Sequence, residues 1–467
     1  MLTSLLLPFT PILAVEESFF TIWMQGSKVG YSSFSTSPTK YKGATAEKST
    51  TKTEFNIELL NAKVQISLRS ETISVNGKPA EMHFFQSSAG RKQIVDAWFN
   101  PSSIRVEVNN NGAKSTQTLP FPKDGRVVDD PIAEFALKPH VVGATSQFYI
   151  LDPSTISLVK NSAKLLGKKE IDINGVKTTA TVILIEDSRT NSTVYTSGKG
   201  DVIKVTTQFG PVAMEMLPAT KAEALEKGDS TVQPDLAAIT SIKPSKPITQ
   251  PLALSKLKIG LSADNLPPIP NDSQQSAKKE SGAWIIDVHP TQLSTAKTVS
   301  ISAAKRQKPD WVKPSLLIPA TSPTFTKLAK EIVKKRTDVR SAALAIRKYV
   351  NANMTPNAGI GILRDASEVL KAKEGVCRDY AILTTSLCRA ANIPARLASG
   401  LVNFEGNFYY HAWVEVWTGY DWLGLDSVPP SDFFTATHVK LGQGNVNQAF
   451  TFTILSNARM EVMEQRN

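Results

Sequence analysis

The sequence predicts an α+β protein: β-rich, antiparallel N-terminal modules followed by a C-terminal region in which helices precede strands. Three observations carry that reading. As far as about residue 228, short alternating or apolar runs are separated by turn signals such as Asn76-Gly77, Asn111-Gly112 and Asn174-Gly175, the pattern of hairpin-connected strands. After Ser322 the apolar spacing changes to steps of three and four, which is the period of helices. Beyond Tyr410 it returns to alternation. With 467 residues, 41% of them hydrophobic, the chain is long and apolar enough for two to four domains.

Residues 1–14 form an apolar run ending at Ala14 before Val15-Glu16-Glu17. The run resembles a signal peptide that lacks its basic leading segment, and it is too short to span a bilayer as a helix. It predicts export to the periplasm or beyond; without a signal function, the location is cytoplasmic. Residues 15–233 are expected to be β-rich, in two strand sets with a break near 145. The first set comprises 19–24, 55–60, 64–69, 93–99 and 104–108, and the second 169–173, 179–185, 192–195 and 202–207. Together they predict a curved open sheet with a helix across it, and residues 220–227 read as helical. His83 and His140 stand alone in this region and read as structural. Residues 234–251 carry prolines and lysines and read as a linker. A small β-module over 252–305 and a proline-spaced connector over 306–322 lead into the last domain, 323–467.

In that domain Ser322-Pro323 suits a helix start, Asp338 caps a second helix and Asp365 a third. Cys377 follows Gly375 and stands at the head of a run in which Leu383, Leu387 and Ala390/Ala391 mark one helical face. Gly375 suits the turn into that helix through its freedom of backbone angle. On a first helical turn, free amide N–H groups and the positive end of the helix dipole favour thiolate over thiol. Downstream, residues 410–417 alternate as a strand carrying His411. Residues 421–426 form a second short strand ending in Asp426, joined to the first by the turn at Thr418-Gly419-Tyr420-Asp421. Nucleophile, base and orienting acid therefore occur in the order Cys377, His411, Asp426, the set that covalent acyl transfer requires.

These residues resemble the transglutaminase-like family of cysteine enzymes. Its three core motifs match Gly375/Cys377/Ala381, His411/Ala412/Trp413 and Trp422/Asp426, and residues 392–400 resemble the family's helix exit and following strand. The resemblance implies a papain-like transglutaminase core, in which Cys377 attacks an amide or ester carbonyl, His411 moves the proton and Asp426 holds the imidazole. The strands before this core resemble the β-rich regions that precede such domains in bacterial envelope proteins. The expected activity is acyl transfer on amide bonds of a protein or peptide through a thioester, with hydrolysis as protease or amidase preferred because water is always present. Amine transfer, giving protein cross-linking, and a non-catalytic envelope scaffold remain open. The backbone N–H of Cys377 is the first candidate oxyanion donor, with a second expected from residues 351–357.

Composition excludes other classes. Of the net charge of +11, residues 316–467 contribute +4, so the basic excess is spread along the chain. No basic block alternates with aromatic residues, so no nucleic-acid partner is expected, and Lys334-Lys335-Arg336 reads as a solvated helical surface. Cys377 and Cys388, the two cysteines, would lie about 16 Å apart on one helix, beyond disulfide reach. They cannot form a zinc-binding pair, which separates this chain from the related peptide N-glycanases. No cofactor or metal is expected. Cys388 reads as packing, and His438 as structural.

Overall fold

Alternating apolar and polar side chains carry the N-terminal half through fourteen strands: Ser18–Met24 (β1), Ser27–Tyr41 (β2), Ala44–Leu59 (β3), Ala62–Val75 (β4), Lys78–Ser88 (β5), Arg91–Phe99 (β6), Ser103–Asn110 (β7), Ala113–Pro120 (β8), Thr145–Asp152 (β9), Ser157–Ile173 (β10), Val176–Asp187 (β11), Asn191–Thr196 (β12), Val202–Phe209 (β13) and Val212–Ala219 (β14). The structure is a computed structural model that describes residues 17–129, 132, 141–173, 175–187, 190–226, 234–264, 266–429, 434–449, 455 and 457–467. The expected signal segment, His140 and most of the run 449–455, whose alternation in the sequence reads as a strand, lie outside these residues. The chain divides into two units, 1–239 and 240–467.

The fourteen strands form one antiparallel sheet that runs from β8 back to β1, then from β14 back to β9. Pairing of β1 with β14, from Phe19 opposite Ala219 to Met24 opposite Met214, joins the two meanders. The break near 145 therefore falls between the two edge strands, β8 and β9, and not between two sheets. The edges approach each other, with Gln117 Nε2 donating to Ile156 O at 3.2 Å. Several strands run well past their expected ends; β3 has 16 residues and β10 has 17. Polar residues on the buried face explain this. Ser32 Oγ meets Thr53 Oγ1 at 2.9 Å, and Gln86 donates to Gln93, so the ladder continues where the hydrophobic pattern lapses. His83 is not alone: its Nδ1 meets Asp96 Oδ1 across β5 and β6 on the exposed face. Thr220 caps a helix over Lys221–Leu225 in a reciprocal box with Glu223, and Ala224 is buried.

The second unit holds Lys256–Ser262 (β15), Gln275–Glu280 (β16), Ala283–Val288 (β17), Thr355–Pro356 (β18), Glu374–Gly375 (β19), Ala395–Phe404 (β20), Asn407–Trp417 (β21), Trp422–Leu425 (β22), Val439–Gly444 (β23) and Arg459–Arg466 (β24). One sheet has the order β16-β17-β15-β24 and another β22-β21-β20-β23. Segment 252–305 thus shares its sheet with the end of the chain. An open edge on β15 would leave backbone groups unpaired, and β24 covers it, with Ile259 opposite Val462. Among the described residues, β23 lies beside β20 at the edge of the sheet that carries His411, and Ala449 ends a short helix, Val446–Ala449. The linker is anchored at its middle, because Ile242 is buried and exchanges two 2.8 Å hydrogen bonds with Phe408.

β18 and β19 pair in parallel; the helices Pro323–Val333 and Val339–Asn353 precede them, Ala366–Ala372 lies between them, and Cys377–Ala390 follows. Pro323–Val333, Val339–Asn353 and Ala366–Ala372 begin at Ser322, Asp338 and Asp365, whose side chains accept from Phe325 N, Ser341 N and Ser367 N. Their apolar stripes, including Phe325, Ala329, Ala342, Ile346 and Val369, pack in one core with the helix Cys377–Ala390. Lys334–Arg336 lies past its helix and not on it. Lys334 has φ 54°, and Arg336 Nη1 donates to Ile332 O and Val333 O, closing the helix end.

Candidate active site

The helix Cys377–Ala390 is the buried centre of the second unit; Ile382, Leu387 and Cys388 are inaccessible to solvent. Burial pushes the Cys388 thiol up to about 12, which suits a packing residue. Cys377 is the first residue of this helix and is partly exposed. The turn before it is held by a buried ion pair. Arg364 Nη2 lies 2.9 Å from Asp379 Oδ2, both side chains are fully buried, and Arg364 also donates to Glu374 O at 2.6 Å. Asp379 Oδ2 accepts from Val376 N at 2.9 Å. Gly375 is required for space and not for its backbone angle. A Cβ there would lie 2.5 Å from Asp379 Cβ and 2.7 Å from Arg364 Nη2.

His411 lies on β21, opposite Gly400 of β20. The turn from Thr418 to Asp421 returns the chain along β22, and Asp426 follows its last residue. His411 Nε2 is 2.7 Å from Asp426 Oδ2, and the His411 side chain also hydrogen-bonds Cys377. The backbone N–H of Ala412 donates to the Cys377 sulfur. The structure therefore brings together the three expected site residues.

Asp426 is itself firmly placed. Its Oδ1 accepts from Val428 N at 2.9 Å, and its backbone carbonyl accepts from Arg347 Nε at 2.6 Å. Ser427 is held on both sides, by Asn351 Nδ2 at its carbonyl (3.1 Å) and by the Thr384 hydroxyl (2.8 Å). Within 351–357, the segment expected to supply a second oxyanion donor, the asparagine side chains have partners. Asn351 serves Ser427, Asn353 donates to Tyr349 O, and Asn357 donates to Glu374 Oε2 at 3.0 Å.

The electrostatics follow from burial and pairing. Burial alone would push the Cys377 thiol up, but the hydrogen bond and charge of His411, the Ala412 N–H and the Arg378 charge bring it below its ordinary value. Burial would push His411 down, and the Asp426 charge and hydrogen bond, with Cys377, raise it to about 10. For Asp426 the cost of burial is outweighed by His411 first and His438 next, which hold it well below the usual carboxylate range. The arrangement favours a thiolate beside an imidazolium.

Sequence reasoning missed His438. Its Nε2 lies 3.3 Å from the Asp426 oxygen that His411 also contacts. A lone histidine twelve residues past the carboxylate carries no local signal; its loop had to be seen folded. Among the described residues, His411, Asp426 and His438 bring three metal-ligand atoms within 4.8 Å of one another. Those atoms hydrogen-bond to each other, so a cation would have to displace these contacts.

Residues 326–427 match the family model of the Transglutaminase-like superfamily. An uncharacterized protein of Mycobacterium leprae is 29% identical over 140 residues, 27% of this chain and 48% of that relative, so the chain spans less than half of the relative's length. A solved structure described as "a Putative Cysteine Protease from Cytophaga hutchinsonii" aligns with 46% of this chain and 91% of its own at 20% identity and a TM-score of 0.35. A beta-barrel-like protein of Brucella abortus aligns with 44% of this chain and 95% of its own, at 10% identity and a TM-score of 0.33. The second unit of this chain thus carries a domain of the Transglutaminase-like superfamily.

Proposed function

We propose that this domain is a cysteine-nucleophile enzyme that cleaves amide bonds of a protein or peptide through a thioester. The observation that carries the reading is the single hydrogen-bonded line from the Cys377 sulfur through His411 to Asp426. Asp426 keeps the proton on His411 Nε2, which leaves Nδ1 to take the thiol proton. Cys377 then attacks the carbonyl, and the imidazolium returns the proton to the leaving amine. Water, activated by the same imidazole, completes the cycle by opening the thioester.

The test is acyl-enzyme trapping. The purified chain is incubated with a panel of activated acyl esters and peptide amides, acid-quenched and weighed intact. The expected result is one acyl group on Cys377, released by hydroxylamine and absent from Cys377→Ala. Carboxylate product formed in the presence of excess primary amine supports hydrolysis, and an amine adduct instead assigns cross-linking. Substrate turnover that survives Cys377→Ala would sink the reading.

A further inference from the structure

His438 precedes β23 in a loop that begins, among the described residues, at Phe434. Its ring is almost fully buried, and both nitrogens face oxygens that can only accept. Nδ1 is 3.1 Å from the carbonyl of Thr435, and Nε2 is 3.3 Å from Asp426 Oδ2. Two aromatic rings hold its plane. Phe434 stacks on it with centroids 4.1 Å apart, and Trp413 meets it edge-on at 5.3 Å. Phe434 is fixed in turn by Gln292, which donates to its carbonyl at 2.7 Å and accepts from its N–H. Gly424 of β22 makes room for that ring; a Cβ there would lie 2.3 Å from it. Three elements therefore converge to aim one histidine at the carboxylate oxygen that His411 also contacts.

We propose that His438 is a positioning residue of the acyl-transfer site, donating from Nε2 to Asp426 Oδ2 so that the carboxylate is held against His411. This rests on the proposed function. With Val428 N on Oδ1 and both histidines on Oδ2, the carboxylate has three donors and one available orientation. His438 touches neither sulfur nor substrate in this scheme and acts through Asp426. The charged groups that it faces are Asp426, from the segment after β22, and His411, from β21.

The experiment compares His438→Phe, which keeps a ring against Phe434 but has no N–H, with His438→Gln, whose amide can return a donor near Nε2. The readout is the pH profile of iodoacetamide alkylation at Cys377 in the full chain. His438→Phe should slow alkylation near neutral pH roughly tenfold or more and move the profile toward that of a free thiol, and His438→Gln should recover most of the loss. A His438→Phe profile that overlays the wild type overturns the proposal. Should the Phe variant fail to fold, nitrogen spectra of the 15N-histidine-labelled wild type decide: a proton on His438 Nε2 supports the assignment, and a lone pair there overturns it. If wild-type Cys377 itself titrates as a free thiol, the catalytic reading fails instead, and the nitrogen spectrum still judges His438 separately.

Discussion

Asp426→Asn is expected to lower acyl transfer by on the order of 10⁴-fold with the fold intact, because the amide cannot serve the three donors that the carboxylate accepts. Val428 N–H points at Oδ1, and the two histidine Nε2 atoms point at Oδ2. An asparagine must turn its NH₂ toward one side or the other. Facing Val428, it sets donor against donor in a buried site. Facing the histidines, it donates to His411 Nε2 and drives the remaining ring proton onto Nδ1, next to Cys377. That tautomer cannot accept the thiol proton. The check is kcat/KM together with the thermal midpoint of the variant: an unchanged midpoint with activity lost confirms the role. Loss of less than about tenfold would mean that the carboxylate does not set the tautomer.

Asp379→Ala should be the most destabilising single change near the site, lowering the unfolding free energy of the second unit by about 3–5 kcal/mol. Its partner Arg364 has no exposure and would be left as an uncompensated buried cation. The same substitution removes the acceptor of Val376 N, the bond that fixes the turn before Cys377. Denaturant unfolding of the full chain measures the first effect, and Cys377 alkylation the second. The double variant Arg364→Met/Asp379→Leu should regain much of the stability, because removal of both charges also removes the desolvation penalty. A loss below about 1 kcal/mol for Asp379→Ala would place the pair in the class of solvated surface bridges and contradict its buried role.

What the sequence disclosed, and what it hid, follows from range. Helix caps are local chemistry, so Ser322, Asp338 and Asp365 could be read directly, and each caps the helix expected of it. The positions of Cys377 on a helix start and His411 on an alternating strand were equally legible, because period and punctuation are short-range signals. His438 was not, since its ring is aimed by Phe434, by the space over Gly424 and by Gln292, which is 142 residues upstream of Phe434. The pairing of β15 with β24 spans most of the second unit and leaves no trace in either strand alone. In the large sheet, strand ends were obscured where Ser32, Thr53, Gln86 and Gln93 occupy buried positions and interrupt the hydrophobic alternation. Gly375 was placed correctly in the turn for the wrong reason: the crowding by Arg364 and Asp379 becomes visible only in three dimensions.

The central claim, a thiolate at Cys377 paired with a protonated His411, is tested most directly by the pH dependence of Cys377 alkylation in the wild type and in His411→Ala. Lowering of the Cys377 pKa keeps the sulfur deprotonated at pH values where an ordinary thiol, with a pKa of about 8.5, is neutral. Raising of His411 to about 10 keeps the imidazolium beside it until that pH. The wild-type rate should therefore rise well below the free-thiol pKa and hold a plateau, changing again only as His411 loses its proton in the alkaline range. His411→Ala should abolish the early rise and return the profile toward that of a free thiol. A wild-type curve that climbs only through about pH 8.5, and is the same with and without His411, would contradict the paired thiolate and with it the proposed chemistry.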